Sequence, residues 1–207
     1  MYCGSVAKEY VLSSFRTLES AEVLLYEYGG VQREIGYGVA VSKFFRALSH
    51  VQCLEIYAET LETLSTVDDF VNILPHVFHD VDELILKDGK TTDKSLFLLL
   101  KALPNLRWLV FEESCIAGNK EVEHSWVGHM LTAGCMFQHL ETVYIVRFSG
   151  NARQMRWVKL ILKTANTLEA VILSLRSDDS INQEALMSDL QSLPRASDGC
   201  EFEFEEY

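Results

Sequence analysis

The sequence predicts an α/β solenoid, a curved and mostly parallel sheet with helices on its convex side. Three observations predict it: a short apolar phrase recurs six times, it recurs at the length of one supersecondary unit, and helical patterns fill the intervals. The phrase is apolar-x-x-apolar-x-x-apolar-x-apolar. It leads with Phe15, Leu48, Phe78, Leu103, Phe137 and Ala165, so the steps are 33, 30, 25, 34 and 28 residues. Each instance ends in the alternation of a half-buried strand, as in Leu84-x-Leu86 or Val143-x-Ile145. A repeat of that length with that ending is how a leucine-rich repeat reads. Such units bury their apolar faces against one another, so the chain is one continuous array.

Taken in order, the first strand covers residues 21–25, with residues 5–14 as a partial cap over it. Residues 26–41 carry Gly29, Gly30, Gly36 and Gly38 with weak periodicity and read as a long loop or distorted hairpin. Helices are predicted over residues 67–78, bent near Pro75, and over 93–103, with Asp93 as cap and Pro104 following. A longer helix at 119–138 accounts for the 34-residue step. Helix 151–165 follows Gly150, with Asn151 as N-cap, and helix 180–193 precedes Pro194. The C-terminal Cys200-Glu-Phe-Glu-Phe-Glu-Glu-Tyr207 alternates with period two. It reads as a closing strand with Phe202 and Phe204 inward, the alternative being an acidic tail.

Composition narrows the function. A net charge of -12 over 207 residues argues against generic binding to nucleic acid or anionic membranes, both of which need a basic footprint. The five cysteines are scattered and form no C-x-x-C, the usage of reduced thiols in a cytoplasmic or nuclear protein. Nothing at the N-terminus reads as a signal peptide, and the apolar run at residues 96–100 is too short to span a bilayer. Neither G-x-S-x-G nor H-E-x-x-H occurs, so no catalytic residue, metal ligand or cofactor site is assigned. His76 with His79, and His124 with His129, are read as surface histidines, and Asp68-Asp69 and Asp178-Asp179 as helix starts. Trp126 and Trp157 are read as packing helices on the sheet.

Two stretches carry a family resemblance. VSKFFRALSHVQCLEI, from Val41 to Ile56, is similar to the "helix, then L-S-x-V-x-x-L-x-L" repeat of plant F-box proteins with leucine-rich repeats and a C-terminal FBD domain. From Met136, MFQHLETVYIVRFSGN followed by WVKLILKTANTLEAVIL resembles the FBD pattern. That pattern is a strand, a Phe-x-Gly turn, a helix ending in an Asn-containing turn, and a second strand. Ala196-Ser197 and the strand after it resemble the family's ending. The resemblance implies a leucine-rich-repeat region at 1–135 and an FBD-like region at 136–207 that continues the same solenoid. It also implies the substrate-reading half of a ubiquitin-ligase adaptor. No F-box pattern precedes Phe15, so docking of the ligase's adaptor subunit is not expected.

In such a phrase the residues between the apolar positions project from the opposite sheet face. Aligning the units predicts three outward columns. The first holds Ser20, Cys53, Glu83, Trp108, Thr142 and Ala170. The second holds Glu22, Glu55, Ile85, Val110, Tyr144 and Ile172. The third holds Leu24, Tyr57, Lys87, Glu112, Val146 and Ser174. Candidate partner-binding residues are therefore Ile85, Trp108, Val110, Glu112, Tyr144, Val146 and Ile172, an apolar patch with aromatic anchors and a charged rim. A basic stretch at residues 147–176, with Arg156, Lys159 and Lys163 on one helix face, reads as a solvated outer surface. The sequence thus predicts a non-catalytic module that binds a protein partner. The alternative is a truncated repeat fragment with a purely structural role.

Overall fold

The computed structural model describes residues 18–24, 43–65, 78–113, 115–116, 137–175 and 183–206. Seven strands follow one another in chain order: β1 (Ser20–Val23), β2 (Cys53–Tyr57), β3 (Glu83–Lys87), β4 (Trp108–Phe111), β5 (Thr142–Ile145), β6 (Ala170–Leu175) and β7 (Glu201–Glu206). They form one open sheet of order β1-β2-β3-β4-β5-β6-β7, and every neighbouring pair is parallel. Parallel neighbours require a crossover between them. Among the described residues these crossovers hold helices α1 (Ala58–Ser65), α2 (Asp93–Lys101), α3 (Ala152–Thr164) and α4 (Gln183–Gln191). A further helical stretch spans residues 43–47.

One hydrogen-bond device recurs at five of the six rungs, and half of it at the sixth. The carbonyl just before a strand accepts from two consecutive amides of the next unit. Glu19 O accepts from Gln52 N (2.9 Å) and Cys53 N (3.1 Å). Gln52 O takes Asp82 N and Glu83 N, and Asp82 O takes Arg107 N and Trp108 N. Arg107 O takes Glu141 N and Thr142 N, Glu141 O takes Glu169 N and Ala170 N, and Glu169 O takes Glu201 N. These bonds pin each strand level with the last. Ser20 lies opposite Cys53, then Glu83, Trp108, Thr142, Ala170 and Glu201 in one row.

Since side chains alternate along a strand, a level register puts all inward residues on one face. Leu54, Ile56, Leu84, Leu86, Leu109, Phe111, Val143, Ile145, Val171 and Leu173 are all buried. They join one apolar cluster with Leu61 and Leu64 of α1, Leu96 and Leu100 of α2, Trp157 and Ile161 of α3, and Leu190 of α4. Helices therefore cover one face. The Phe111 and Trp157 rings meet at 6.2 Å, so α3 packs on the sheet through Trp157 as the sequence indicated. On β7, Phe202 and Phe204 pack against the same cluster, and the C-terminal segment is a strand rather than a tail.

Helix ends follow local chemistry. Asn151 caps α3, its side-chain oxygen accepting from Arg153 N and Gln154 N. Gly150, at φ +67°, takes the left-handed conformation that turns the chain from Phe148 into that cap. The predicted cap of α2 needs correction. Thr92, not Asp93, is the N-cap, its hydroxyl accepting from Ser95 N. Asp93 is the first helical residue, and its carboxylate is taken by Arg153 Nε (2.7 Å) and Trp157 Nε1 (3.0 Å).

Two other points differ from the sequence reading, and four expected segments lie almost wholly outside the described residues. The helix after β2 starts at Ala58, immediately after the strand, and buries Ala58, Thr60, Leu61 and Leu64. The helices expected at 67–78 and 119–138 lie almost wholly outside the described residues, as do segments 5–14 and 26–41. Ser174, placed in an outward column, is buried. Arg147, at φ 52°, turns the chain after β5, and Phe148 N then donates to Ser174 O at 2.7 Å, closing over the end of β6.

Two substitutions test this packing. Phe111→Ala should cost about 3–5 kcal/mol in urea unfolding, through lost transfer energy and the cavity beneath Trp157. Asn151→Ala should cost only about 1 kcal/mol, the worth of one cap. Equal losses would mean that Phe111 is not in the core.

Candidate interaction face of the sheet

The face turned away from the helices brings the first and second columns level, as the spacing of the phrases implies. Ile85 lies opposite Val110, Val110 opposite Tyr144, and Tyr144 opposite Ile172. All four are half-buried, and Trp108 is 40% exposed, the one large hydrophobic side chain so open among the described residues. Adjacent parallel strands sit about 4.8 Å apart, so these side chains form a continuous strip rather than isolated contacts. Val146 is half-buried too, but it lies in the turn after β5 rather than on the strand, its amide donating to Phe111 O.

Polar groups frame the strip. On the side of the strand C-termini, Lys87 Nζ bridges Glu55 (2.9 Å) and Glu112 (3.2 Å). The hydrogen bonds to these two carboxylates raise the Lys87 pKa despite partial burial, so the ammonium stays charged. Glu112 also accepts from the Asp88 amide. The candidate Glu112 is therefore tied to its neighbours while its edge remains half-open. Tyr57 donates its hydroxyl to Glu22 at 3.0 Å, and Tyr144 donates to Glu205 at 2.8 Å. On the opposite side, Arg107 makes a two-pronged pair with Glu141 (2.9 and 2.7 Å). Its guanidinium lies over the Trp108 ring, 5.0 Å from the ring centre, a cation–π arrangement that restrains the indole. The Arg107 hydrogen bonds keep the Glu141 carboxyl below its ordinary pKa.

Sequence reasoning missed these tyrosine and lysine bridges. Each joins different strands, and only the assembled columns bring the partners together. Part of the basic stretch is paired within the fold. Arg147 pairs with Glu113, while Arg153 is buried against Asp93, with Arg156 at 3.7 Å from the same carboxylate. Lys159 and Lys163 remain exposed, and Arg176 lies outside the described residues. Arg153 and Arg156 thus tie α3 to Asp93 of α2, while the outer face at Lys159 and Lys163 is exposed as expected.

No reactive centre emerges on this face. Cys53 sits in its first column, and burial, followed by the Glu83 charge, pushes its thiol up to about 12. Cys115, buried beneath the Leu86 and Lys87 carbonyls, is raised to about 12 by burial as well. Among the described residues no group of three or more His, Cys, Asp or Glu side chains could hold a metal ion. His79 is exposed, while His76, His124, His129, Trp126, Asp68, Asp69, Asp178 and Asp179 lie outside the described residues. Among the described residues no helix is long and apolar enough to cross a membrane.

Against known proteins, residues 133–173 match the FBD family model, a stretch that contains β5, α3 and most of β6. Over 197 residues, 95% of the chain, the sequence is 25% identical to an FBD-associated F-box protein of Arabidopsis thaliana, and the chain spans 39% of that relative's length. No solved structure matches. The two matches bear out the resemblance to the plant F-box/FBD family.

The Cys53 environment gives a direct check on the face. At pH 8.5 iodoacetamide should alkylate Cys53 roughly tenfold or more slowly than an unstructured thiol, and Glu83→Gln should speed the reaction. The sign follows from the raised value: the folded thiol stays protonated where a free thiol, near 9, is partly ionised. Alkylation at the free-thiol rate, followed by peptide mass spectrometry, would contradict this environment.

Proposed function

From its standing as a relative of plant F-box/FBD proteins, we propose that this chain is a non-catalytic protein-recognition module, the substrate-reading part of a ubiquitin-ligase adaptor. The reading takes the rungs as leucine-rich repeats of one solenoid. Residues 1–135 form its repeat region and 136–207 its FBD-like continuation. Its mechanism is capture of a protein partner on the strip formed by Ile85, Trp108, Val110, Tyr144 and Ile172, with Glu112 and Val146 at the rim.

One observation carries it: a Trp 40% exposed beside half-buried apolar side chains, aligned across four strands. Exposing such a strip costs free energy that burial against a partner recovers, at about 25 cal/mol per Å² of apolar surface. Large aromatics at the centre of a patch are the residues that carry most binding energy at protein interfaces. The Arg107–Trp108 stack and the Tyr144–Glu205 bond hold both rings in place before a partner arrives. This limits the entropy lost on docking.

Affinity capture from a plant extract tests the proposal, with the wild-type chain beside a Trp108→Ala/Tyr144→Ala variant. The wild-type chain should retain a specific protein that the variant loses. The variant's melting temperature should fall by no more than roughly 4 °C, since neither ring is core. Retention by both chains, or a collapse in stability, would refute the assignment of this face. No specific partner for either would favour a purely structural fragment.

A further inference from the structure

The second outward row has a charge order that says what kind of segment fits it. From β2 to β7 it reads Glu55, Ile85, Val110, Tyr144, Ile172, Glu203, each residue level with the next. A carboxylate thus stands at each end of four apolar side chains. Glu205, next to Glu203 on the same face of β7, adds to one end, and Glu22, level with Glu55 on β1, to the other. The described outward columns contain one cation, Lys87, and it is shared between Glu55 and Glu112, leaving that trio net acidic. Arg107, at the rim, is committed to Glu141.

We infer that this row receives an extended segment of a partner protein with a cationic side chain at each end of an apolar centre. The inference rests on the protein-recognition reading above and names the partner's chemistry. Charge complementarity selects the ends, since a like charge set against Glu203 or Glu55 is repelled. The same carboxylates disfavour phosphate-bearing partners. Geometry sets the spacing. Five strand steps at about 4.8 Å put Glu55 and Glu203 about 24 Å apart. An extended chain advances about 3.4 Å per residue and alternates its faces, so the two cations, both turned to the sheet, are about six or eight residues apart. The four apolar side chains between them span about 14 Å, room for roughly four residues of the segment.

The proposal is tested by fluorescence anisotropy of synthetic peptides on the full chain. One probe carries arginines about six or eight residues apart, on one face of an extended chain, around an Ile/Val/Thr centre. A second has glutamates in place of the arginines, and a third keeps the arginines but closes their spacing to about three residues. The first should bind, should weaken as salt rises, and should outcompete both others. Glu203→Lys should weaken it roughly fivefold and strengthen the peptide whose matching end is glutamate, while Glu203→Gln should fall between. Because Glu203 is exposed on the last strand, circular dichroism should show all variants folded. Equal binding of arginine- and glutamate-ended probes, indifference to Glu203→Lys, or no binding of the first probe would each overturn the charge rule. If the charge rule fails while capture from extract still depends on Trp108 and Tyr144, the recognition reading stands alone. If capture fails too, both fall.

Discussion

The amide donation that levels each rung, paired at all but the last, is the constraint on which the rest depends. A single carbonyl, such as Asp82 O, binds two successive amides of the next unit, Arg107 N at 2.8 Å and Trp108 N at 2.9 Å. That contact allows no stagger between strands. A slip of one residue would turn every inward Leu or Ile toward solvent and bury Glu55, Glu83 or Glu112 without a partner. Hydrogen bonding and apolar burial therefore select the same alignment. The consequence for function is indirect but strict: because the rungs are level, residues far apart in sequence become neighbours in rows. Ile85, Val110, Tyr144 and Ile172 touch no common loop or motif, yet they make one strip.

The polar bridges depend on the same alignment. Lys87 reaches Glu55 and Glu112 from the strand between them, and Tyr144 reaches Glu205 across β6. These bonds fix the rim of the face and leave its centre apolar. Beneath the sheet, Asp93 plays a comparable part for the helices. It gathers Arg153, Trp157 and Arg156 at the start of α2 and so ties that helix to α3. Removing Asp93 would strand a buried guanidinium, a costlier change than losing the pair as a whole.

Much of the fold was legible because its signal is periodic. The phrase that ends in Leu84-x-Leu86 or Val143-x-Ile145 specifies both the strand and its buried face, and a fixed phrase in each unit implies the level register. The outward columns follow from that arithmetic, and β7 followed from the alternation of Phe202 and Phe204. What escaped was non-periodic or distant. Thr92 and Asp93 are both good capping residues, and only the pull of Arg153, 60 residues away, decides which one caps. Helix α1 is short and starts without a break after β2, so no loop announces it. Ser174 is covered by a turn whose left-handed residue, Arg147, has no sequence signature. The pairing of Arg147 and Arg153 escaped because their partners, Glu113 and Asp93, belong to other units.

We propose that the exposed sheet face, not the helical side, is the working surface. Hydroxyl-radical footprinting of the chain alone and with its captured partner tests it most directly. The account predicts that Trp108 and Tyr144 are modified in the free chain and protected in the complex, with buried Trp157 unmodified in both. Protection confined to the α3 surface around Lys159 and Lys163, with Trp108 and Tyr144 equally modified in both states, would contradict it.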